Sequence, residues 1–275
     1  MREVAPYAVY IHCYAHFLNL ALVDCVKTVQ SSFDFFCLLE SLYVFMSTTK
    51  AHCIFEAKQK ELHPGKQIRR LQRLSDTRWA CRQSAVNAVC YTYDSSIATL
   101  KEISDGPDRA KAVEACGLLL QISKFKFLLT LIIFDKVLTY TKSLSDCLQG
   151  TQVNLGKAGD LVTATVSTLV SLRTDEEWDK VYAYAERVAE VNEIDFNPLP
   201  PRARQLPLNL RGDIITVSTT GSREILSTKD NCKVNLYYPV IDSFLAELNQ
   251  RFSEKNIDFM KSISSLNPDS KSFLN

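Results

Sequence analysis

The sequence has 275 residues, of which 46% are hydrophobic and 23% are charged, and this composition excludes intrinsic disorder for most of the chain. Its 32 basic and 31 acidic residues give a formal net charge of +1, so no global field attracts the chain to nucleic acid or to membranes. Any contact with nucleic acid must therefore come from a local cluster of basic side chains. Eight glycines and nine prolines are few for this length, which argues against an all-β chain with many tight turns.

The first residues of the sequence and the number of its cysteines predict the cellular compartment of the protein. The first ten residues lack a basic segment followed by an apolar core, so we expect no secretory signal. The nine scattered cysteines should then be reduced, and the chain should be nuclear or cytoplasmic, not secreted. The longest apolar run, residues 127–134, is shorter than the roughly 20 residues that span a bilayer, so we expect no membrane contact.

The first predicted elements are a strand and two helices. Residues 7–13 are mostly β-branched or aromatic and follow Pro6, which predicts a strand. The period becomes helical at residue 14. Residues 32–48 are apolar almost all round, which predicts a helix in the middle of a bundle.

A break at His63-Pro64-Gly65 precedes a basic stretch, residues 66–82, in which the cations fall on one side at helical spacing. The periodicity disappears again between residues 197 and 231, which predicts a long irregular loop. The remaining segments have the apolar period of amphipathic helices: residues 79–100, residues 108–148 with a break or bend near Ser123, and residues 155–173, 175–194 and 239–253.

Two groups of side chains suggest metal ligands. Cys13 and His16 have the spacing of half a zinc site, and a complete site needs four ligands, with His52-Cys53 and His63 as the available partners. The alternative is a buried cysteine and a hydrogen-bonded histidine where a strand passes into a helix. The run of acids at residues 175–177 is better explained by helix capping, because adjacent residues on a helix point apart.

Four motifs occur in the same order as in one known family. Cys13 and His16 followed by Leu18-Asn19-Leu20 resemble its C-x-x-H-x-L-N-L signature, and Thr77-Arg78-Trp79 resembles its T-R-W segment. Residues 144–149 and 237–252 are similar to the L-S-x-x-L-Q and Y-x-P-x-x-D-x-x-x-x-E-L-x-x-R-F stretches of one subgroup. On these motifs the sequence resembles the hAT-superfamily transposases and their domesticated relatives, in particular the subgroup close to MYM-type zinc finger protein 1.

The resemblance implies a fold and a division of the chain. The fold should be mainly α, a helical bundle corresponding to the transposase insertion domain, with a small β remnant of an RNase H-like fold at the N-terminus. The division has four parts: residues 1–82 as the end of the RNase H-like core, residues 83–196 as the helical insertion, residues 197–231 as a loop, and residues 232–275 as a returning helix and a truncated C-terminal region.

The family's chemistry does not carry over to this sequence. The resemblance implies two Mg²⁺ or Mn²⁺ ions held by two Asp and one Glu, which stabilise the attacking and leaving oxygens of a phosphodiester. Glu3 is the sole acid before Cys13, and the chain ends at Asn275 soon after Arg251-Phe252, so no catalytic acid can be assigned. We predict no enzymatic activity, no cofactor, no metal site and no small-molecule substrate.

The DNA-contact candidates lie in the basic stretch. The resemblance associates Trp79 with DNA near the cleaved end, where stacking on an unpaired base contributes about 1–3 kcal/mol. The alternative is that Trp79 is the first core residue of the following helix, and a solvated helix face explains the cations equally well. The candidates are Lys66, Arg69, Arg70, Arg73, Arg78 and Trp79.

These observations predict a non-catalytic remnant of a hAT-like transposase that acts as a protein- or DNA-interaction module. We expect DNA contact, and self-association through the unpaired edges of a truncated sheet. Two alternatives stay open. One is a fragment of an active transposase whose catalytic parts are missing from the gene model, and the other is a small metal-binding module built on Cys13 and His16.

Overall fold

The computed structural model describes residues 14–74, 79–149, 155–196 and 227–253, together with 257, 258 and 262. The described residues are mainly helical and contain no strand, which confirms the predicted mainly α fold. The predicted strand at residues 7–13 lies outside them. The helices in the described ranges are α1 (Tyr14–Thr28), α2 (Gln30–Met46), α3 (Thr49–Leu62), α4 (Trp79–Tyr91), α5 (Tyr93–Ser104), α6 (Arg109–Ile122), α7 (Phe125–Gln149), α8 (Leu155–Leu172), α9 (Asp175–Val191), α10 (Thr228–Cys232) and α11 (Tyr238–Arg251).

Helix α7 forms the centre of the bundle because it is apolar on most of its circumference. It packs against α1, α2, α4, α6, α8 and α9. Phe134 of α7 stacks on Phe35 with ring centroids 5.4 Å apart and meets Phe36 edge-on at 4.9 Å. Phe244 of α11 lies 6.4 Å from the same ring. One aromatic cluster therefore joins early, middle and late helices in a single core.

Helix α2 is less completely covered than its sequence predicts. Leu39 is 2% exposed and faces the core, as expected for an apolar helix. Phe33 and Val44, however, are 49% and 57% exposed. The prediction that α2 is covered all round is therefore wrong for its outer face.

Of the described residues of the basic stretch, only residues 79–82 are helical, as the start of α4. Residues 66–74 are irregular, which corrects the predicted helical face. Gly65 has a φ of +82°, a left-handed conformation that glycine adopts without strain, in the turn that follows α3 and that the Lys66 N–H closes by donating to the carbonyl of His63 at 3.1 Å. Leu71 and Leu74 still pack against the core although they lie on no helix.

Thr92 divides the segment predicted as one helix over residues 79–100. Its Oγ1 donates a hydrogen bond to the carbonyl of Ala88 at 2.8 Å, and it separates α4 from α5. A threonine that bonds back to the preceding turn offers the backbone an alternative to helical continuation. The break expected near Ser123 is present, because α6 and α7 meet there at 68°.

The last helical region begins earlier than predicted. Residues 227–231, assigned to the loop, lie at the start of α10, and a π-helical segment at Lys233–Tyr237 connects α10 to α11. Residues 197–226 are outside the described ranges. No single helix in the described ranges is long and apolar enough to cross a bilayer, although the bent α6–α7 pair passes that test when both helices are counted together.

Candidate nucleic-acid interface

A buried amide holds the basic segment, residues 66–74, against α3. Gln59 of α3 is 4% exposed, and its Oε1 accepts a hydrogen bond from the backbone N–H of Arg69 at 2.9 Å. Its Nε2 donates to the carbonyl of Arg69, also at 2.9 Å. Farther along, the backbone N–H of Leu74 donates to Glu40 Oε2 at 3.0 Å. The basic segment is thus fixed to α3 and α2 at two points.

Arg69 is anchored by its side chain as well as by its backbone. Its guanidinium lies 3.9 Å from the centroid of the Tyr91 ring, and its Nη1 donates to Asn87 Oδ1 at 2.9 Å. Lys66 Nζ lies 5.8 Å from the same ring centroid. Asn87 in turn donates to Asp135 Oδ1 at 3.2 Å. Arg69 therefore connects the basic segment to α4, and through Asn87 to α7.

Arg70 and Arg73 point away from the bundle. Their side chains are 73% and 77% exposed. Their nearest carboxylates are Glu56 at 3.8 Å and Glu40 at 3.7 Å, which are long distances for ion pairs between exposed groups. Such pairs contribute little free energy, so both guanidinium groups are accessible to an anion from solution.

A polar cleft of about 610 Å³ lies between the basic segment and α4. Three cations reach it, two from the basic segment and Lys142 from α7. Asp146 lies 4.0 Å from Lys142, and the described residues that line the cleft include no carboxylate. The lining consists of Gln67, Ile68, Arg69, Arg70, Gln72, Gln83, Ser84, Asn87, Ala88 and Lys142. Cations and amide donors on a concave surface form a binding site for phosphate oxygens.

Some of the predicted DNA-contact residues lie together at the cleft, and others lie elsewhere or outside the described residues. Arg69 and Arg70 line the cleft, and Lys66 shares the Tyr91 ring with Arg69, whereas Arg73 lies beside Glu40 outside the lining. Arg78 lies outside the described residues. Trp79 is the first residue of α4, and its side chain is likewise not described, so base stacking and core packing both stay predictions.

Sequence reasoning missed three contributors to the interface. Lys142 lies about seventy residues after the basic segment, and no local pattern marks it as a neighbour. Gln59 and Asn87 are polar residues on helices, which usually indicate a solvated face. The buried position of Gln59 has no signal in the sequence, because it depends on the path of a non-helical segment.

The possible zinc ligands do not lie close together in the part of the chain that the structure describes. Cys13 lies outside it, and His16 is exposed on α1. His52 Nε2 lies 3.1 Å from Glu56 Oε1, and His63 Nε2 lies 2.7 Å from Asp94 Oδ2, so the two histidines lie beside separate carboxylates. Among the described residues no three His, Cys, Asp or Glu side chains form a metal-binding group.

The acids at the start of α9 act as helix-terminal and bridging groups. Thr174 caps the helix by accepting from the backbone N–H of Glu177 at 3.4 Å. Hydrogen bonds from Lys136 and Lys180 lower the pKa of Glu177 from 4.5 to about 2. Hydrogen bonds from Lys233 and Tyr238 lower the pKa of Asp175. The capping side chain is thus Thr174, and these two carboxylates bind lysines of their own chain.

None of the cysteines in the described ranges forms a disulfide bond. Burial raises the pKa of Cys25 to about 12 and also raises the pKa of Cys90. A buried thiol with a raised pKa is protonated at neutral pH and is a poor nucleophile. These two cysteines are part of the core and take no part in the cleft.

No protein-family model matches the chain, and no solved structure matches it.

Proposed function

We propose that this chain is a non-catalytic module, derived from a hAT-like transposase, that binds the phosphate backbone of DNA in the cleft between the basic segment and α4. The observation that carries the proposal is the convergence of Arg69, Arg70 and Lys142 on one cleft whose described lining has no carboxylate. Two of these cations come from the basic segment and the third comes from α7, so the cluster exists only in the folded chain.

Preorganisation supports the same function. Arg69 is held by Gln59, Asn87 and Tyr91, so its guanidinium is positioned before any ligand arrives. Little side-chain entropy remains to be lost there when a phosphate binds. Arg70 is free to reach a neighbouring phosphate, because its side chain is 73% exposed.

The four sequence motifs support the transposase origin. Two of them, Leu144 to Gln149 and Tyr237 to Phe252, lie largely on α7 and α11, whose apolar faces are in the common core. The chemistry of backbone recognition predicts weak, sequence-tolerant and salt-sensitive binding, since phosphate contacts carry no base information.

The test compares single charge reversals in and away from the cleft. Binding of a fluorescently labelled DNA duplex is measured by anisotropy at low salt for the wild type, Lys142→Glu and Arg187→Glu. Arg187 is exposed on α9 and is not in the cleft lining, so its reversal changes the net charge equally. We expect Lys142→Glu to weaken binding about tenfold or more and Arg187→Glu to change it far less. Equal effects of both changes would show that binding depends on the net charge of the chain and not on the cleft, which would refute the site.

A further inference from the structure

The outer face of α6 carries large apolar side chains that nothing in the described chain covers. Val113 is 74% exposed and Leu120 is 64% exposed, and Gly117 is also exposed between them. Residues at these spacings of four and three lie on one face of a helix. Single exposed apolar residues are ordinary, but a stripe of them at helical spacing is the pattern with which one helix anchors another.

Gly117 is unusual for its position in the middle of a helix. Glycine there destabilises a helix by roughly 0.5–1 kcal/mol relative to alanine. No described atom outside the local helix backbone lies within 4 Å of the place where a Cβ would stand, and φ is not in the left-handed region. Neither backbone conformation nor internal packing requires a glycine here. Close approach of another backbone from outside does require a small residue.

A groove of about 490 Å³ continues the stripe toward α2 and the start of α7. Gln121, one turn after Gly117, and Lys124, one turn after Leu120, both line it. Its apolar lining includes Phe35, Leu38 and Phe127. A concavity next to an apolar stripe suits one large anchoring side chain from the partner, the usual centre of binding energy in an interface.

The cations at the two ends of the stripe indicate which charges the partner helix carries. Arg109 lies at the start of α6 and Lys124 just after its end, and both are exposed. Neither forms an ion pair with a described carboxylate, whereas Lys111 on another side of the helix pairs with Glu114 at 2.8 Å. A second copy of α6 would place like charges together in either orientation, which is unfavourable. The complementary partner has carboxylates at both ends, about four helical turns apart.

We propose that the outer face of α6 docks an amphipathic α-helix of another protein, whose apolar stripe is flanked at both ends by Asp or Glu. The partner's stripe contacts Val113 and Leu120, and its backbone approaches most closely over Gly117. Its terminal carboxylates pair with Arg109 and Lys124. This surface shares no lining residue with the DNA cleft, so the two sites can be tested independently.

The experiment uses the full chain and two synthetic helices of about 20 residues with an identical apolar stripe. One peptide has Glu in its first and last turns, and the other has Lys at the same positions. Titration calorimetry should give one-to-one binding of the Glu peptide and at least about tenfold weaker binding of the Lys peptide. Val113→Glu/Leu120→Glu should remove binding, and Val191→Glu, which changes an 82% exposed valine on α9, should leave it intact. All three changes are at exposed positions, and circular dichroism checks the fold.

Gly117→Ala separates docking from stability. The change should raise the melting temperature, because alanine favours the helix. It should also weaken the binding of the Glu peptide, because the added methyl group prevents the closest approach of the two backbones. No binding of the Glu peptide, equal binding of both peptides, or binding unaffected by Val113→Glu/Leu120→Glu would overturn the proposal. Concentration-dependent dimerisation that Val113→Glu abolishes would overturn it in favour of a second copy.

Discussion

The side-chain amide of Gln59 forms two hydrogen bonds with the backbone of Arg69, one through each end of the amide and both at 2.9 Å. The amide therefore satisfies one N–H and one C=O of a segment that has no helical hydrogen bonds of its own. Because Gln59 lies on α3, this pair of bonds determines where the arginines of the basic segment stand relative to Lys142.

The first prediction concerns the two hydrogen bonds between Gln59 and Arg69. Gln59→Leu keeps the size of the side chain but leaves the backbone groups of Arg69 without their partners. We expect the free energy of unfolding, measured with urea, to fall by about 1–3 kcal/mol. Gln72→Leu is the matched control, because Gln72 is exposed and makes only a 3.4 Å bond to Arg70. Equal stability of the two variants would show that the hydrogen bonds of Gln59 do not hold the basic segment in place.

The second prediction concerns the core. Leu39 is 2% exposed on the inner face of α2, so Leu39→Asp places a charge among apolar side chains without a partner. We expect a loss of about 3 kcal/mol or more, or aggregation of the unfolded chain. Val44→Asp, on the exposed face of the same helix, should change stability by less than about 1 kcal/mol. A soluble Leu39→Asp variant with the wild-type melting temperature would contradict the packing of α2.

The third prediction is a pH dependence. Glu177 joins α9 to α7 through Lys136 at 2.6 Å, and its pKa is about 2 instead of 4.5. A lowered pKa in the folded state gives a stabilisation that is present above pH 4.5 and disappears as the pH falls toward 2. The difference in unfolding free energy between wild type and Glu177→Gln should therefore shrink across this range. A difference that stays constant from pH 6 to about 2 would argue against the ion pair as its cause.

The fourth prediction is the absence of phosphodiester cleavage. The two-metal mechanism needs converging carboxylates, and among the described residues no three His, Cys, Asp or Glu side chains form a group that could hold a metal ion. Glu247, the acid of the last motif, lies 3.1 Å from Arg251 and is part of an ion pair. Incubation with supercoiled DNA and Mg²⁺ or Mn²⁺ should give no nicking above background. Nicking that depends on metal and is lost in Glu247→Gln would restore the enzyme alternative.

Helical periodicity predicted much of the bundle because the signal is local. The bend near Ser123 and the α8–α9 pair were visible as breaks in that period. The split at Thr92 was not, since apolar spacing continues across it and the change lies in the backbone of Thr92, which has a φ of −114° and a ψ of 23°.

The basic segment was misassigned for a related reason. The cations at positions 66, 69, 70 and 73 have helical spacing, yet they lie on an irregular segment whose Leu71 and Leu74 are partly buried against the core. The segment is held by hydrogen bonds from Gln59, which lies on another element and which no local pattern connects to it. The cleft required Lys142 as well, and its position relative to Arg70 follows only from the packing of α4 against α7.

The most direct test of the DNA cleft is the salt dependence of binding. For the wild type, the logarithm of the association constant for a DNA duplex should fall linearly with the logarithm of salt concentration, by about 0.9 for each phosphate contacted. Arg70→Gln/Lys142→Gln removes two of the three cations in the cleft, so the slope should become smaller by roughly 1.8. An unchanged slope and affinity in this variant would contradict the claim that the cleft binds the DNA backbone.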